Sequence, residues 1–137
     1  MSLIEVIRDL RELNKPVPRP RQLPTPEEVS AAERTLGVSF HPDYRQYLLE
    51  ASDVVHGTLE PATVASGSGH TALIPMAQAA WAKMGLPRDL LPICEDNGDY
   101  YCITKPGEVV FWSHNGKTDE KWRDLATWIQ EVWIGES

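Results

Sequence analysis

The sequence has few of the features that mark membrane proteins or secreted, disulfide-linked proteins. It contains two cysteines in 137 residues, and no apolar run approaches the roughly 18 residues that a membrane span needs. Its first residues include Glu5 and Asp9 and have no apolar core of a secretory signal. We therefore expect a cytoplasmic protein with reduced thiols and no membrane association.

Positive charge is also scarce, and the shortage is uneven along the chain. The chain has thirteen basic and twenty acidic side chains, which gives a net charge of −7. The first fifty residues are nearly balanced, with seven basic and eight acidic residues, so most of the excess follows residue 50. Nucleic acid is disfavoured as a direct ligand because phosphate binding needs a basic surface. A basic protein partner fits this charge, although acidity also simply aids solubility.

Catalytic and metal-binding motifs are missing as well. The sequence contains no G-x-x-x-x-G-K-[ST], H-E-x-x-H or G-x-S-x-G pattern. A calcium loop counted from Asp96 would need Glu at its twelfth position, where Gly107 stands. Cys94 and Cys102 are eight residues apart with no second pair, which does not suit a zinc site. We expect no metal, no cofactor and no catalysis.

The two cysteines leave two alternatives open. Either thiol could act as a nucleophile if His114, the nearest histidine in sequence, served as its base. A disulfide is also conceivable, because a three-residue turn would set the two cysteines opposite each other. A two-residue turn at Asn97-Gly98 would instead place Cys94 opposite Tyr101 and Cys102 opposite Ile93. The favoured interpretation is that both are small apolar strand residues.

The first half of the chain reads as helices separated by a proline-rich connector. Residues 1–13 predict an amphipathic helix, and residues 14–25 an extended connector in which Lys15, Arg19 and Arg21 form a basic patch. Thr25, Pro26 and Glu28 suit the N-cap, first turn and capping box of a second helix that ends before Gly37. Further helices are predicted from Pro42 and over residues 74–84, with a short strand near residues 57–59 between them.

The second half predicts strands followed by a closing helix. The β-rich runs LLPIC, DYYCIT and EVVFWSH are separated by EDNG and KPG, and Asn-Gly is the strongest short hairpin signal. A second Asn-Gly pair, Asn115-Gly116, makes a third turn or ends the last strand. Residues 119–133 predict a helix with Trp122, Leu125, Ile129, Val132 and Trp133 on one stripe and Trp128 at its edge. The expected fold is one α+β domain over 1–137, with N-terminal helices, a central antiparallel sheet of hairpin-connected strands and a C-terminal helix packed on it.

The order of these motifs resembles the SUKH superfamily, which is named partly for a fungal cell-wall-assembly regulator and includes many bacterial immunity proteins. The resemblance covers about residues 24–133, with the family-like core taken as 26–133. Its helical signature matches Glu33, Leu36, Gly37, Pro42, Tyr44 and Leu48, and its strand signature matches Gly98, Asp99 and Tyr100. The chain departs from the family at SDVVHG, where Asn-Gly or Asp-Gly is common. These signature positions imply structural roles, and the resemblance carries over no catalytic residue.

The resemblance implies a domain that binds a protein, and bacterial members commonly neutralise a cognate toxin, often a nuclease or a deaminase. Acidic residues at the hairpin tip and before the last helix are the candidate contacts: Glu95, Asp96, Asp99, Asp119 and Glu120. Trp112 or Tyr101 would add an aromatic anchor if either is exposed. Asp119 and Glu120 could instead favour the N-terminus of the last helix. A regulatory domain that binds an endogenous protein through residues 15–26 is the alternative.

Overall fold

Three helices open the chain, and each begins where a capping residue stands. The computed structural model describes residues 2–135, with the backbone alone at 116 and 117, so the predicted boundaries at residues 1 and 137 lie outside the described residues. Helices α1 (Leu3–Glu12), α2 (Pro26–Leu36) and α3 (Pro42–Ala51) carry Ser2, Thr25 and His41 at their N-caps. The predicted capping box of Thr25 and Glu28 is confirmed, and α2 ends at Gly37 with φ of +70°.

Each helix buries one apolar face in the interior, as the spacing of its apolar residues by three and four positions predicts. A fourth helix, α4 (Leu73–Lys83), follows a single 3₁₀ turn at Gly69–Thr71. The short strand expected near residues 57–59 is absent there, and the region contributes one isolated bridge between Thr63 and Ala72. The buried helical faces comprise Val6, Ile7 and Leu10; Val29, Ala32 and Leu36; Tyr44, Tyr47, Leu48 and Ala51; and Leu73, Ala77 and Ala80.

Four antiparallel strands in sequence order form the sheet. They are β1 (Leu91–Asp96), β2 (Asp99–Ile103), β3 (Val109–Ser113) and β4 (Gly116–Trp122). The predicted Asn-Gly turn joins β1 to β2, with φ of +53° at Asn97 and +88° at Gly98. The α+β fold class is confirmed.

The fourth strand lies where the sequence predicted the start of the last helix, so that boundary was wrong. Val109 pairs with Trp122 and Val110 with Lys121, which places residues 119–122 in the sheet. The helix α5 (Leu125–Trp128) begins later because Asp124 is its N-cap and accepts a hydrogen bond from the N–H of Thr127 at 2.8 Å.

The C-terminal helix widens into a π-helix over Ile129–Ile134. The wider turn brings residues five apart onto one face, as the hydrogen bond from Gly135 N to the Gln130 carbonyl shows. Trp128 and Trp133 therefore both point inward, with ring centroids 6.5 Å apart. Trp128 is 1% exposed, so the prediction that it lies at the edge of the apolar stripe was wrong.

Helices cover both faces of the sheet. Tyr101, Ile103 and Cys94 share the face that joins the main core with Trp128 and Trp133. Tyr100, Cys102 and Trp112 occupy the opposite face, where they form a second cluster with Ala80 of α4 and with Leu86. The period-two alternation of side chains along a strand explains this division. No helix within residues 2–135 has the length and apolar character of a membrane span.

Candidate protein-interaction surface

The hairpin between β1 and β2 presents three of the predicted acids together. Asp96 pairs with Asp99 directly beside the turn, and Glu95 pairs with Tyr100 one position further from it. Glu95 is exposed, whereas Asp96 and Asp99 are half-buried. The type I′ geometry of Asn97 and Gly98 fixes the separation of the two strands. These carboxylates are therefore held on an ordered turn.

Asp99 is bound within the protein by His114. Its Oδ1 accepts a hydrogen bond from the backbone N–H of His114 at 3.0 Å and lies 2.7 Å from Nδ1 of the same residue. These bonds to His114 lower the pKa of Asp99 below its usual value. The contact links the β1–β2 turn to the β3–β4 turn, since both lie at one end of an antiparallel meander. Sequence reasoning considered His114 only as a catalytic base, although the two turns were predictable.

A fourth acidic residue, Glu60, lies near Cys94 of the same strand, and its carboxylate contacts Nε2 of His70. The segment after it runs along β1, where Ala62 N donates to the carbonyl of Ile93 at 2.8 Å. Burial raises the pKa of Cys94 to about 12, and the charges of Asp96, Glu60 and Glu95 raise it further. We call Glu60, Glu95, Asp96 and Asp99 the acidic tip. Glu60 was missed because nothing in its local sequence indicates that it returns to β1.

Asp119 and Glu120 are not part of the acidic tip. Both are exposed on β4, where the register with β3 is irregular and Thr118 Oγ1 donates to the carbonyl of Phe111 at 2.6 Å. Three strand spacings, about 14 Å, separate β4 from β1. Lys121 lies on the same strand, so this edge carries charges of both signs, an arrangement that discourages edge-to-edge pairing. The predicted alternative role at the N-terminus of the last helix was also wrong, because Asp124 caps that helix.

The two candidate aromatic anchors differ in burial, although both pack against other rings. Trp112 is 7% exposed and packs against Tyr100, so the condition of exposure is not met. Tyr101 is half-buried among Phe111 and Trp128 and also contacts Trp122, with ring centroids 4.8, 5.3 and 5.7 Å away, respectively. Trp112 therefore serves packing, whereas a role in partner binding stays a prediction for the acids and for half-buried Tyr101.

The family-signature residues build the fold around the α2–α3 loop. Glu33 Oε2 accepts a hydrogen bond from Phe40 N at 2.7 Å, while its Oε1 lies 3.0 Å from Nη1 of Arg45. Gly37 ends α2 in the left-handed region, and Pro42 opens α3. Tyr44 and Leu48 are fully buried, and Gly98 supplies the hairpin turn.

The proline-rich connector is bound to the body of the protein. Lys15 N donates to the carbonyl of Val55 at 2.8 Å, and Asn14 Oδ1 accepts a hydrogen bond from Val55 N at 2.8 Å. Arg21 donates to the carbonyls of Val54 and Pro61 and to the hydroxyl of Thr71, at 3.3–3.5 Å. A docking strip for another protein would have to give up these contacts.

The cysteines lie on opposite faces of the sheet, and both are free and buried. Cys94 pairs with Tyr101 as predicted, but Cys102 pairs with Pro92 because the register shifts between Pro92 and Cys94. Burial also raises the pKa of Cys102. Both thiols are therefore protonated at neutral pH, which suppresses nucleophilic attack. In the part of the chain that the structure describes, no three histidine, cysteine or acidic residues are grouped to hold a metal ion.

Comparison with known proteins identifies both a family and a structural relative. The model of the SUKH_5 family, described as SMI1-KNR4 cell-wall, matches residues 3–134. A crystal structure of a protein from Pseudomonas syringae pv. tomato superposes with a TM-score of 0.91 at 42% sequence identity. That alignment covers 98% of this chain and 99% of the other. A search of the curated proteins finds no match.

Proposed function

The chain belongs to the SUKH family, and from this premise we propose that it is a non-catalytic binding domain that neutralises a cognate bacterial toxin by direct contact. The toxin is a basic protein, of the nuclease or deaminase class, and the contact is centred on the acidic tip. Cytoplasmic action follows from this role, because such toxins act on intracellular nucleic acid or nucleotides.

The observation that carries the proposal is that Glu95, Asp96 and Asp99 flank one ordered turn, with Glu60 close enough to Cys94 on the same strand for its charge to act on that thiol. Carboxylates held close together make a local negative potential that attracts a basic surface over several ångströms. Such complementarity accelerates association more than it raises final affinity. Fast association suits a protein that must intercept a toxin before the toxin meets its substrate.

The state of the thiols supports the non-catalytic part of the proposal. Cys94 and Cys102 were the strongest candidates for a nucleophile, and burial keeps both protonated. His114, the candidate base, is engaged with Asp99 at the surface. The expected mode of action is occlusion of the toxin's active site.

Co-expression tests the proposal. Reading frames adjacent to this gene are expressed from an inducible promoter in a bacterial host, with and without this chain. One of them should arrest growth, and the wild-type chain should restore it. A paired variant, Glu95→Gln/Asp96→Asn, should slow association with that toxin about tenfold. Asp119→Asn/Glu120→Gln removes the same charge from the far edge of the sheet and should leave the rate within about twofold.

Two results would contradict the proposal. The immunity role fails if no adjacent frame inhibits growth in a way that this chain relieves. In that case a pull-down that depends on residues 15–26 would favour the regulatory alternative. The role of the acidic tip fails if both paired variants associate with the toxin as fast as the wild type.

A further inference from the structure

A pocket of about 620 Å³ opens at the end of the sheet opposite the acidic tip. Three segments line it: the α2–α3 loop with the start of α3 (37–42), residues 88–91 leading into β1, and residues 103–105 at the end of β2 and in the turn to β3. In an antiparallel meander the β2–β3 turn and the β1–β2 turn lie at opposite ends. We call this cavity the basal pocket. None of the residues predicted to bind a partner lines it.

The walls of the basal pocket are fixed by contacts within the fold. Glu33 holds the α2–α3 loop, because its side chain accepts from Phe40 N and its carbonyl accepts from Gly37 N and Val38 N. His41 Nδ1 accepts from Asp43 N at 3.1 Å, and the other side of the imidazole packs against Gly107. The pocket therefore exists before any ligand arrives, as is usual for binding sites.

The lining combines an apolar wall with cations at the rim. Phe40, Leu91 and Ile103 form a nearly buried apolar floor, and half-buried Val38 and exposed Pro42 supply accessible apolar surface. Arg88 and Lys105 are exposed at the rim. Among the side chains that the structure describes, neither forms an ion pair within 4.0 Å. A pocket of this kind favours a ligand that is apolar and carries a carboxylate.

Arg88 is positioned for an incoming carboxylate. Its guanidinium lies over the ring of Trp81, 4.2 Å from the centroid, and Nη2 donates to the carbonyl of Leu36 at 3.4 Å. Stacking orients the planar group but uses none of its N–H donors, so several stay available for a fork-shaped contact. Carboxylate geometry matches that fork.

The charge of the rim also argues against a phosphate ligand. Asp89 lies in the same lining as the two cations, so the net charge of Arg88, Lys105 and Asp89 is +1 with His41 neutral. The whole chain carries −7. A nucleic acid or polyphosphate would be repelled by that field, whereas a single carboxylate needs only the two local cations.

We propose that the basal pocket binds a peptide segment of a protein partner in which an apolar side chain stands beside an acidic one. The apolar side chain packs on Val38 and Pro42 above the floor of the pocket, and the carboxylate pairs with Arg88 and Lys105. A volume of about 620 Å³ accommodates two or three side chains, within the range of ordinary ligand pockets. The proposal goes beyond the toxin contact, since it concerns the opposite pole of the molecule and holds for any protein partner.

Panning a random heptapeptide phage library against the full chain tests this. Enriched peptides should carry Asp or Glu next to a large apolar residue. Titrating the best synthetic peptide into ¹⁵N-labelled protein should shift amide resonances of 37–42, 88–91 and 103–105 first. The double variant Arg88→Gln/Lys105→Gln should raise the dissociation constant of the peptide about tenfold. Lys83→Gln, an exposed lysine outside the lining, should change it less than twofold.

The outcomes separate this proposal from the toxin role. Enrichment of peptides without acids, resonance shifts elsewhere, or failure to enrich any sequence would overturn it. The Glu95→Gln/Asp96→Asn variant should bind the selected peptide as the wild type does, because those residues lie at the other end of the sheet. The test uses no toxin, so either proposal can fail while the other stands.

Discussion

At the residue scale, Gly107 has no side chain, and this lets the β2–β3 turn pack against His41 at the start of α3. It sits in the predicted Lys105-Pro106-Gly107 turn with φ of +105°, a value that residues with a Cβ rarely adopt. A Cβ at this position would lie 2.5 Å from Nε2 of His41. Because His41 caps α3, the turn and the helix start are packed against each other.

Replacing Gly107 with Ala should destabilise the protein by about 2–3 kcal/mol. Backbone strain at positive φ costs about 1–2 kcal/mol, and displacement of the imidazole adds the rest. Gly85→Ala is the matched control, since Gly85 has φ of +79° but open space around its Cβ position, and it should cost about 1 kcal/mol. Urea unfolding followed by tryptophan fluorescence measures both values.

A double-mutant cycle isolates the steric part of this cost. In a His41→Ala background the imidazole is gone, so Gly107→Ala should cost about as much as Gly85→Ala. Equal costs of Gly107→Ala in both backgrounds would mean that contact with His41 contributes nothing, and the packing interpretation would be abandoned.

At the element scale, the two cysteines should not react with thiol reagents, because each is buried on a covered face of the sheet. Cys94 and Cys102 face opposite sides of neighbouring strands, and each is covered by a different set of helices. Labelling by a disulfide reagent at pH 8 should be at least about 1,000-fold slower in the native protein than in 6 M urea, because reaction requires opening of the core. Burial also raises the pKa of Cys94 to about 12, so little thiolate forms.

Single variants identify which thiol reacts. Cys94→Ala and Cys102→Ala each leave one cysteine, and both single-thiol proteins should stay protected while they remain folded by circular dichroism. Fast labelling of either one under native conditions would reopen the interpretation of that cysteine as a nucleophile. Mild oxidation of the wild type should also give no internal disulfide, since the side chains point apart.

Elements with strong local signals were predictable from the sequence. Thr25 with Glu28 specifies a capping box, and Asn97-Gly98 specifies a type I′ turn, because both depend only on residues a few positions apart. The strand β4 was mistaken for a helix because Trp122, Leu125 and Ile129 have helical spacing. Its true state depends on pairing with β3, although a turn at Asn115-Gly116 was itself a hairpin signal.

The candidate site was predictable only in part, because some of its residues are brought together by contacts between segments that are distant in sequence. Glu95, Asp96 and Asp99 flank one predicted turn, so their clustering follows from sequence alone. Glu60 joins them through a contact between segments about thirty residues apart, and the basal pocket needs three such segments. The burial of Trp112 depends on α4 covering the second face of the sheet, which no local pattern reveals.

At the scale of the whole molecule, the proline-rich connector fastens distant parts of the chain together. It leaves α1 and reaches α2 without helix or strand of its own, and extended proline-rich backbone cannot stabilise itself. Arg21 supplies contacts to the carbonyls of Val54 and Pro61 and to the side chain of Thr71. The loop beyond is held from the other side, where Glu28 accepts hydrogen bonds from Ser66.

Arg21→Gln should therefore destabilise the protein by about 1–2 kcal/mol, because hydrogen bonds from a half-buried charged donor to acceptors on buried residues are lost. Arg19→Gln is the matched control, since Arg19 lies two residues away and is exposed, and its effect should stay within about 0.5 kcal/mol. The variant should also be cut faster by protease within residues 15–23, because release of the connector exposes backbone that the fold now holds. If Arg21→Gln unfolds at the same urea concentration as the wild type and resists protease equally, the connector is not a structural strap. Residues 15–26 would then be free to serve as the docking strip that the sequence alone allowed.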